Sequence, residues 1–326
     1  MTDSALTSAA FAAVMPAASG GDQEWCEDGI VVPAAEFRRC YNRRSFLFRH
    51  GLQGHPHFQL PSLLALARRQ SERPGLAYCS NGAVEIADRW EKGVGCESPV
   101  ETTLAGIACN DSLVMLKHVE QDAVLGPMLR QLLARMIGLS GCEMRDDVIV
   151  GRATILVASP RRITAYHLDA DTNFLFQVHG SKSFSVFDQT DRTMLTDVEL
   201  ENYHAGDANG AVFKTSRQDE ALTYALDAGL GVHVPSTAPH WARNGDNVSV
   251  ALSLNYDLRS VRRRGRIYAM NRRLRRLGID PSAPGRSAWR DRIKLAAVDM
   301  LGAARRMAGR NRDDADPSGW TPGAYM

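Results

Sequence analysis

From Asp147 onward the chain breaks into short apolar runs punctuated by turn residues, and this texture constrains the fold more than any other feature of its 326 residues. VIVGRATILVAS, RITAYHLD, NFLFQVHG, KSFSVFD, GVHVPS and NVSVALSLNY are rich in Val, Ile, Phe, Tyr and Thr, with Gly, Asp, Asn and Pro between them. Runs of this length and spacing predict antiparallel strands of a sandwich or barrel. HGSK, between two of them, reads as a tight hairpin. Upstream, SLLALARRQ predicts a helix opened by a Ser cap after Pro61. From Asp111 to Leu139 the apolar positions Leu113, Leu116, Val119, Val124, Met128, Leu132, Leu133 and Met136 follow a helical period. Past Tyr256 that period returns, in Ile267, Met270, Leu274 and Leu277, then Trp289, Ile293, Ala297, Met300 and Ala304. Two amphipathic helices, 266–278 and 287–307, are expected there, split by GIDPSAPG. The chain thus divides into a disordered leader (1–35), a mainly helical region (36–146), a barrel (147–258), basic C-terminal helices (259–309) and a flexible tail (310–326).

Composition narrows the class. Hydrophobic residues make up 44% and charged residues 23%, as in ordinary soluble domains. No stretch approaches the roughly 18 apolar residues of a membrane span. The Ala-rich N-terminus lacks a basic flank and carries Asp3, which argues against a signal peptide and makes the cytoplasm the default address. Six cysteines, Cys26, Cys40, Cys79, Cys96, Cys109 and Cys142, have irregular gaps and no C-x-x-C pair. Neither a zinc site nor a disulfide framework is signalled, and reduced, mostly buried thiols are expected. The net charge of +2 conceals an asymmetry: residues 259–312 hold 17 Lys and Arg against three acids, while residues 1–258 carry −9. These arginines sit on amphipathic helices with little aromatic interleaving. A solvated or subunit-packing face is therefore favoured over a nucleic-acid module.

Chemistry concentrates in His167-Leu168-Asp169. On a strand, side chains alternate, so His167 and Asp169 share one face while Leu168 points away. An imidazole and a carboxylate placed so can take two adjacent positions on a metal. His240, on the Pro-marked turn of VPSTAPHWARN, offers a third ligand, completing the 2-His-1-carboxylate face of non-haem Fe(II) oxygenases.

Around HLDADTNFLFQVHGSKSFSVFD and PHWARNGDNVSVALSLNY the chain resembles the jumonji-C and cupin-like Fe(II)- and 2-oxoglutarate-dependent oxygenases, especially their asparaginyl hydroxylase branch. The likeness runs from about Ile149 to Tyr256. A looser one, to bacterial cupin-like proteins, takes in LVMLKHVEQD and the Arg-rich helices. The resemblance implies a double-stranded β-helix, mainly β with flanking helices, and one Fe(II) on His167, Asp169 and His240. It implies that Lys182 binds the distal carboxylate of 2-oxoglutarate together with Thr164, and that Asn173 and Asn255 lie near metal and co-substrate. Thr164 has the opposite strand parity to His167, so its role requires a bulge. The family's additional tyrosine for 2-oxoglutarate has no counterpart that can be placed. The implied activity consumes O2, hydroxylates a C–H bond of a peptide, protein side chain or small molecule, and releases succinate and CO2. A homodimer through the C-terminal helices is implied as well. The alternative is a cupin-like ligand-binding or regulatory protein without turnover.

Overall fold

The structure, a computed structural model, describes residues 29–31, 34–90 and 98–307. Most of the leader, the tail from residue 308, Cys26 and Cys96 lie outside the described residues. Helix α1 (Ala34–Cys40) and strand β1 (Phe46–Arg49) come first, followed by α2 (Leu60–Ser71), β2 (Ala77–Asn81) and α3 (Val100–Ala105). Next are β3 (Ser112–Leu116), α4 (Gly126–Ser140) and α5 (Cys142–Asp147). The strands β4 (Val148–Ala158), β5 (Ile163–His167), β6 (Thr172–His179) and β7 (Lys182–Val186) precede α6 (Asp197–His204). Four more follow: β8 (Leu222–Leu226), β9 (Leu230–Val234), β10 (His240–Asn244) and β11 (Ser249–Leu258). Helices α7 (Arg259–Arg276) and α8 (Ala288–Met307) close the described chain.

Two antiparallel sheets oppose each other, one ordered β1-β9-β6-β11-β4-β3-β2 and the other β5-β10-β7-β8. This is the expected double-stranded β-helix with flanking helices. Strands β1 to β3, from the residues before 147, extend the larger sheet on both sides. Strand β6 pairs with β11 at its centre, Asn173 opposite Asn255. Alternation then sorts their side chains. Phe174, Phe176, Val250, Leu252 and Leu254 join Leu63 of α2 and Leu129 and Leu133 of α4 in the principal core. Asn173, Leu175, Ser253 and Asn255 point between the sheets, where they line a cavity. The side with a core to fill is apolar, and the side facing the cavity is polar and small.

Several expectations change. The helical period over residues 111–124 does not yield a helix: Ser112–Leu116 is a strand beside β4, buried along its whole length. A strand buried on both faces loses its alternation, so a short apolar run there mimics a helix. Helix α4 begins only at Gly126. In α2, Ser62 lies inside the first turn behind Gln59 and Pro61 rather than capping it. HGSK is a tight turn, but the strands it joins belong to different sheets, so it is a corner and not a hairpin. Gly180 there has φ +72°, and a Cβ would come within 2.3 Å of the Val248 carbonyl oxygen. Helix α7 starts seven residues before the predicted boundary, because RSVRRRGR hides its buried positions, Val261 and Gly265, among arginines. Cys79 is disulfide-bonded, against the expectation of reduced thiols, whereas Cys40 is free and buried and Cys109 free and exposed. Sequence gaps carry no information on which thiols approach within bridging distance. Among the described residues no helix is long and apolar enough to cross a membrane.

Candidate metal centre

His167 ends β5 and His240 begins β10, and the two are register partners across adjacent strands. Asp169 sits just beyond the strand rather than on it, yet the alternation persists: Leu168 turns away into a small cluster with Leu195, Leu200 and Tyr268. The Thr237 amide donates to the Asp169 carbonyl (2.7 Å), tying the Pro235–Pro239 turn to the acidic residue. These backbone links bring one ligand-type atom from each residue within 4.8 Å of the others. The Asp169 Oδ2 lies 3.8 Å from His167 Nε2 and 3.6 Å from His240 Nε2.

Both rings are oriented from behind. His167 Nδ1 lies 2.8 Å from the Ala165 carbonyl and His240 Nδ1 2.9 Å from that of Ala238. A carbonyl only accepts, so each Nδ1 carries the proton and each Nε2 presents a lone pair toward the carboxylate, the tautomer a metal requires. Burial, reinforced by the neighbouring His167, lowers the pKa of His240 to about 4 and keeps it neutral near pH 7. Trp90 stacks on His167 with ring centroids 4.1 Å apart, and Phe184 stacks on His240 at 5.4 Å. The donor set, tautomers and packing fit a divalent metal with open positions toward the cavity.

That cavity, about 370 Å³, also receives Lys182, Thr164, Asn173 and Asn255. Lys182 opens β7 opposite Asn244 of β10. No carboxylate among the described residues pairs with its ammonium, and burial lowers its pKa to about 8. An unpaired cation between two sheets fits an anionic ligand. Thr164 reaches the same cavity because β5 bulges: His167 pairs with His240, but Thr164 pairs with Ala242, so β5 carries one more residue than β10. The extra residue reverses the parity that otherwise turns Thr164 away. Asn173 Nδ2 donates to both Ser253 Oγ and Asn255 Oδ1, while Asn173 Oδ1 is buried without a partner. Behind it, His233 donates from Nδ1 to the Asn173 carbonyl (3.0 Å) and accepts the Asn42 amide on Nε2 (2.9 Å).

Sequence reasoning missed several lining residues: Trp90, Lys117, His118, Arg152, Asp171 and Asn244. A signal existed for Arg152, which shares inward parity with Thr154 and Leu156 and pairs with Asn255. Trp90 had none, since it arrives from a loop. Burial, with the adjacent Asp169 adding to it, raises the pKa of Asp171 to about 6. Among the described residues no tyrosine lines the cavity. His179 is exposed at the far end of β6.

No protein-family model and no curated protein matches the chain. Among solved structures, Escherichia coli ycfD superposes with a TM-score of 0.50 at 13% identity, covering 86% of this chain and 70% of that one. The ribosomal oxygenase YcfD in complex with cobalt and 2-oxoglutarate gives a TM-score of 0.47 at 16% identity, covering 86% and 68%. Oxalate decarboxylase from Lactobacillus farciminis gives 0.22 at 18% identity, over 32% of this chain and 24% of that one. At such identities the first of these likenesses shows a shared fold, that of the cupin and jumonji-C barrels.

Proposed function

We propose that the chain is an Fe(II)- and 2-oxoglutarate-dependent oxygenase that hydroxylates a C–H bond of a peptide, protein side chain or small molecule. One observation carries this reading: a His-Asp-His donor set and a lysine with no carboxylate partner among the described residues share a single cavity. His167, Asp169 and His240 would hold the iron, with the Nδ1 hydrogen bonds to the Ala165 and Ala238 carbonyls orienting both imidazoles for it. Lys182 and Thr164 receive the distal carboxylate of 2-oxoglutarate, because a buried dicarboxylate needs a cation and hydrogen-bond donors to replace water. Asn173 and Asn255 orient ligands beside the metal through their shared hydrogen bonds. Bound there, Fe(II) and 2-oxoglutarate would supply the oxidising power for an O2-dependent hydroxylation, with succinate and CO2 as co-products. Trp90 and Phe184 exclude water from the ligand rings. Anaerobic loading with Fe(II) and 2-oxoglutarate, followed by O2 and quantification of succinate against candidate peptides, tests the reading. Metal uptake without 2-oxoglutarate binding or succinate would replace it by the cupin-like binding protein.

The C-terminal helices support a homodimer. Helix α8 buries the polar Asp291 and Lys294 while Trp289, Ile293 and Met300 stand 62%, 57% and 66% exposed. An apolar face turned outward on a helix whose inward side is polar needs a partner surface. Light scattering is expected to give twice the chain mass, and Ile293→Glu with Met300→Glu to give one.

A further inference from the structure

The strongest charged feature outside the metal centre is α7, which carries nine arginines and no lysine. A groove of about 570 Å³ runs along it, bordered by Arg262, Arg266, Arg272, Arg273 and Arg276. Arg262, Arg266, Arg273 and Arg276 recur at helical spacing, so one face presents them over about 21 Å of axis. Two are engaged, Arg262 with Asp257 and Arg266 with Asp299. Arg272, Arg273 and Arg276 pair with no carboxylate among the described residues, even though residues 1–258 carry −9. Among the described residues the acidic body pairs only Arg262 of this face, through Asp257.

The groove adjoins the metal cavity. Asp171 lines both, with Arg152 acting on its carboxylate from the cavity and Arg262 from the groove. The groove's apolar surface comes from small side chains, among them Ala205, Val261, Ala269 and Val298, with no aromatic ring except that of His204. A peptide partner gains affinity by seating bulky anchors in pockets, and none are offered here. Single-stranded nucleic acid gains it by stacking bases on aromatic platforms, which are also lacking. What remains is a row of planar, permanently charged donors suited to bidentate contact with phosphate.

We propose that this groove docks the phosphodiester backbone of a duplex nucleic acid beside the metal cavity. Contacts of this kind fix position without reading sequence. The inference concerns binding alone and goes beyond the oxygenase reading, so either can fail without the other.

Fluorescence anisotropy of labelled duplexes of about 20 base pairs, one RNA and one DNA, with the full chain between about 50 and 200 mM salt tests it. Replacing Arg272, Arg273 and Arg276 together by Gln is expected to weaken binding at least about tenfold. It is also expected to lower the slope of log affinity against log salt by about 2 to 3. Replacing the exposed Arg38, Arg39 and Arg68 of α1 and α2 by Gln changes affinity less than about twofold. Arg→Lys at the three groove positions retains most of the slope, which separates loss of charge from loss of fold. Tighter binding of RNA or of DNA identifies the duplex source. Equal affinity of the groove variant and the parent chain would overturn the proposal. Preference for poly-glutamate over both duplexes would overturn it in favour of an acidic polypeptide.

Discussion

The barrel interior and the last helix both invert the usual arrangement of polar and apolar faces, and they do so for different reasons. In β6 and β11 the polar side chains point between the sheets, while Phe174, Phe176, Leu252 and Leu254 pack outward under helices that cover them. In α8 the polar Asp291 and Lys294 point inward, but Trp289, Ile293 and Met300 meet no covering element among the described residues. In β6 and β11 the inversion is complete: Phe174, Phe176, Leu252 and Leu254 are fully covered, and the polar side chains line a cavity. That of α8 is unfinished, with Lys294 donating to the Ser282 carbonyl (2.7 Å) and the apolar face left outside. An inverted face thus marks a binding surface, and what covers its apolar side separates a small-ligand site from a protein partner.

Four measurements break or sharpen this contrast. The largest effect is expected at the centre of the barrel. His167→Ala or Asp169→Ala should abolish stoichiometric binding of Fe(II), or of Mn(II) or Co(II) as surrogate, by calorimetry, while thermal unfolding of the apoprotein shifts little. Unchanged stoichiometry in the double variant would remove the metal reading. Lys182→Ala comes next, weakening 2-oxoglutarate about 30-fold or more at near-normal metal affinity, because it leaves a buried carboxylate without its cation. Affinity of the unsubstituted chain should also fall as pH rises through about 8, where the unliganded lysine loses its proton. A change below about threefold, under roughly 0.7 kcal/mol, would end that assignment.

Acid sensitivity ranks third. Burial lowers the pKa of His233 to about 3 and those of His50 and His204 to about 4. All three are neutral in the fold, whereas below about pH 6.5 the unfolded chain binds protons there. Stability is therefore complete above pH 6.5 and lost as pH falls toward 4, by roughly 1 kcal/mol per histidine per pH unit. Denaturant midpoints at pH 7, 6 and 5 check the sign, and replacing His233 by Gln should flatten the slope. The smallest effects belong to α7. A Cβ at Gly265 would meet His204 Nδ1 at 2.6 Å, so Gly265→Ala should cost about 1 to 3 kcal/mol by chemical denaturation. Leu277→Ala, at a position 76% exposed, should stay within about 0.5 kcal/mol.

The legible parts of the molecule are those where physics acts locally. Alternation in NVSVALSLNY separates Val250, Leu252 and Leu254 from Ser253 and Asn255, and the fold keeps that separation. The same rule places His167 and Asp169 on one side of Leu168, even though the strand stops at His167. Thr164 shows where the rule fails. Its parity is wrong by itself, and only the bulge against β10 turns it inward. LVML was misread as helix because burial on both faces erased the pattern that distinguishes strand from helix.

By itself the sequence determined the barrel class, the identity of the three ligand-type residues and the charge imbalance between body and C-terminus. The strand texture, the His167-Asp169 pair and the charge imbalance rest on residue type and near-neighbour spacing, whereas the specific barrel and His240 as third ligand rest on the resemblance to the jumonji-C family. Only the tertiary structure decided what those residues meet. It brought His240 across from a distant segment, set Trp90 against His167 and Arg152 opposite Asn255, and corrected the turn after β6 from hairpin to corner. It also decided that the arginines of α7 border a groove that shares Asp171 with the cavity, and that Trp289, Ile293 and Met300 of α8 stand exposed. The physical reason is common to all of these. A side chain's direction follows from its own few dihedral angles, but its neighbours depend on how sheets and helices close over long stretches of chain.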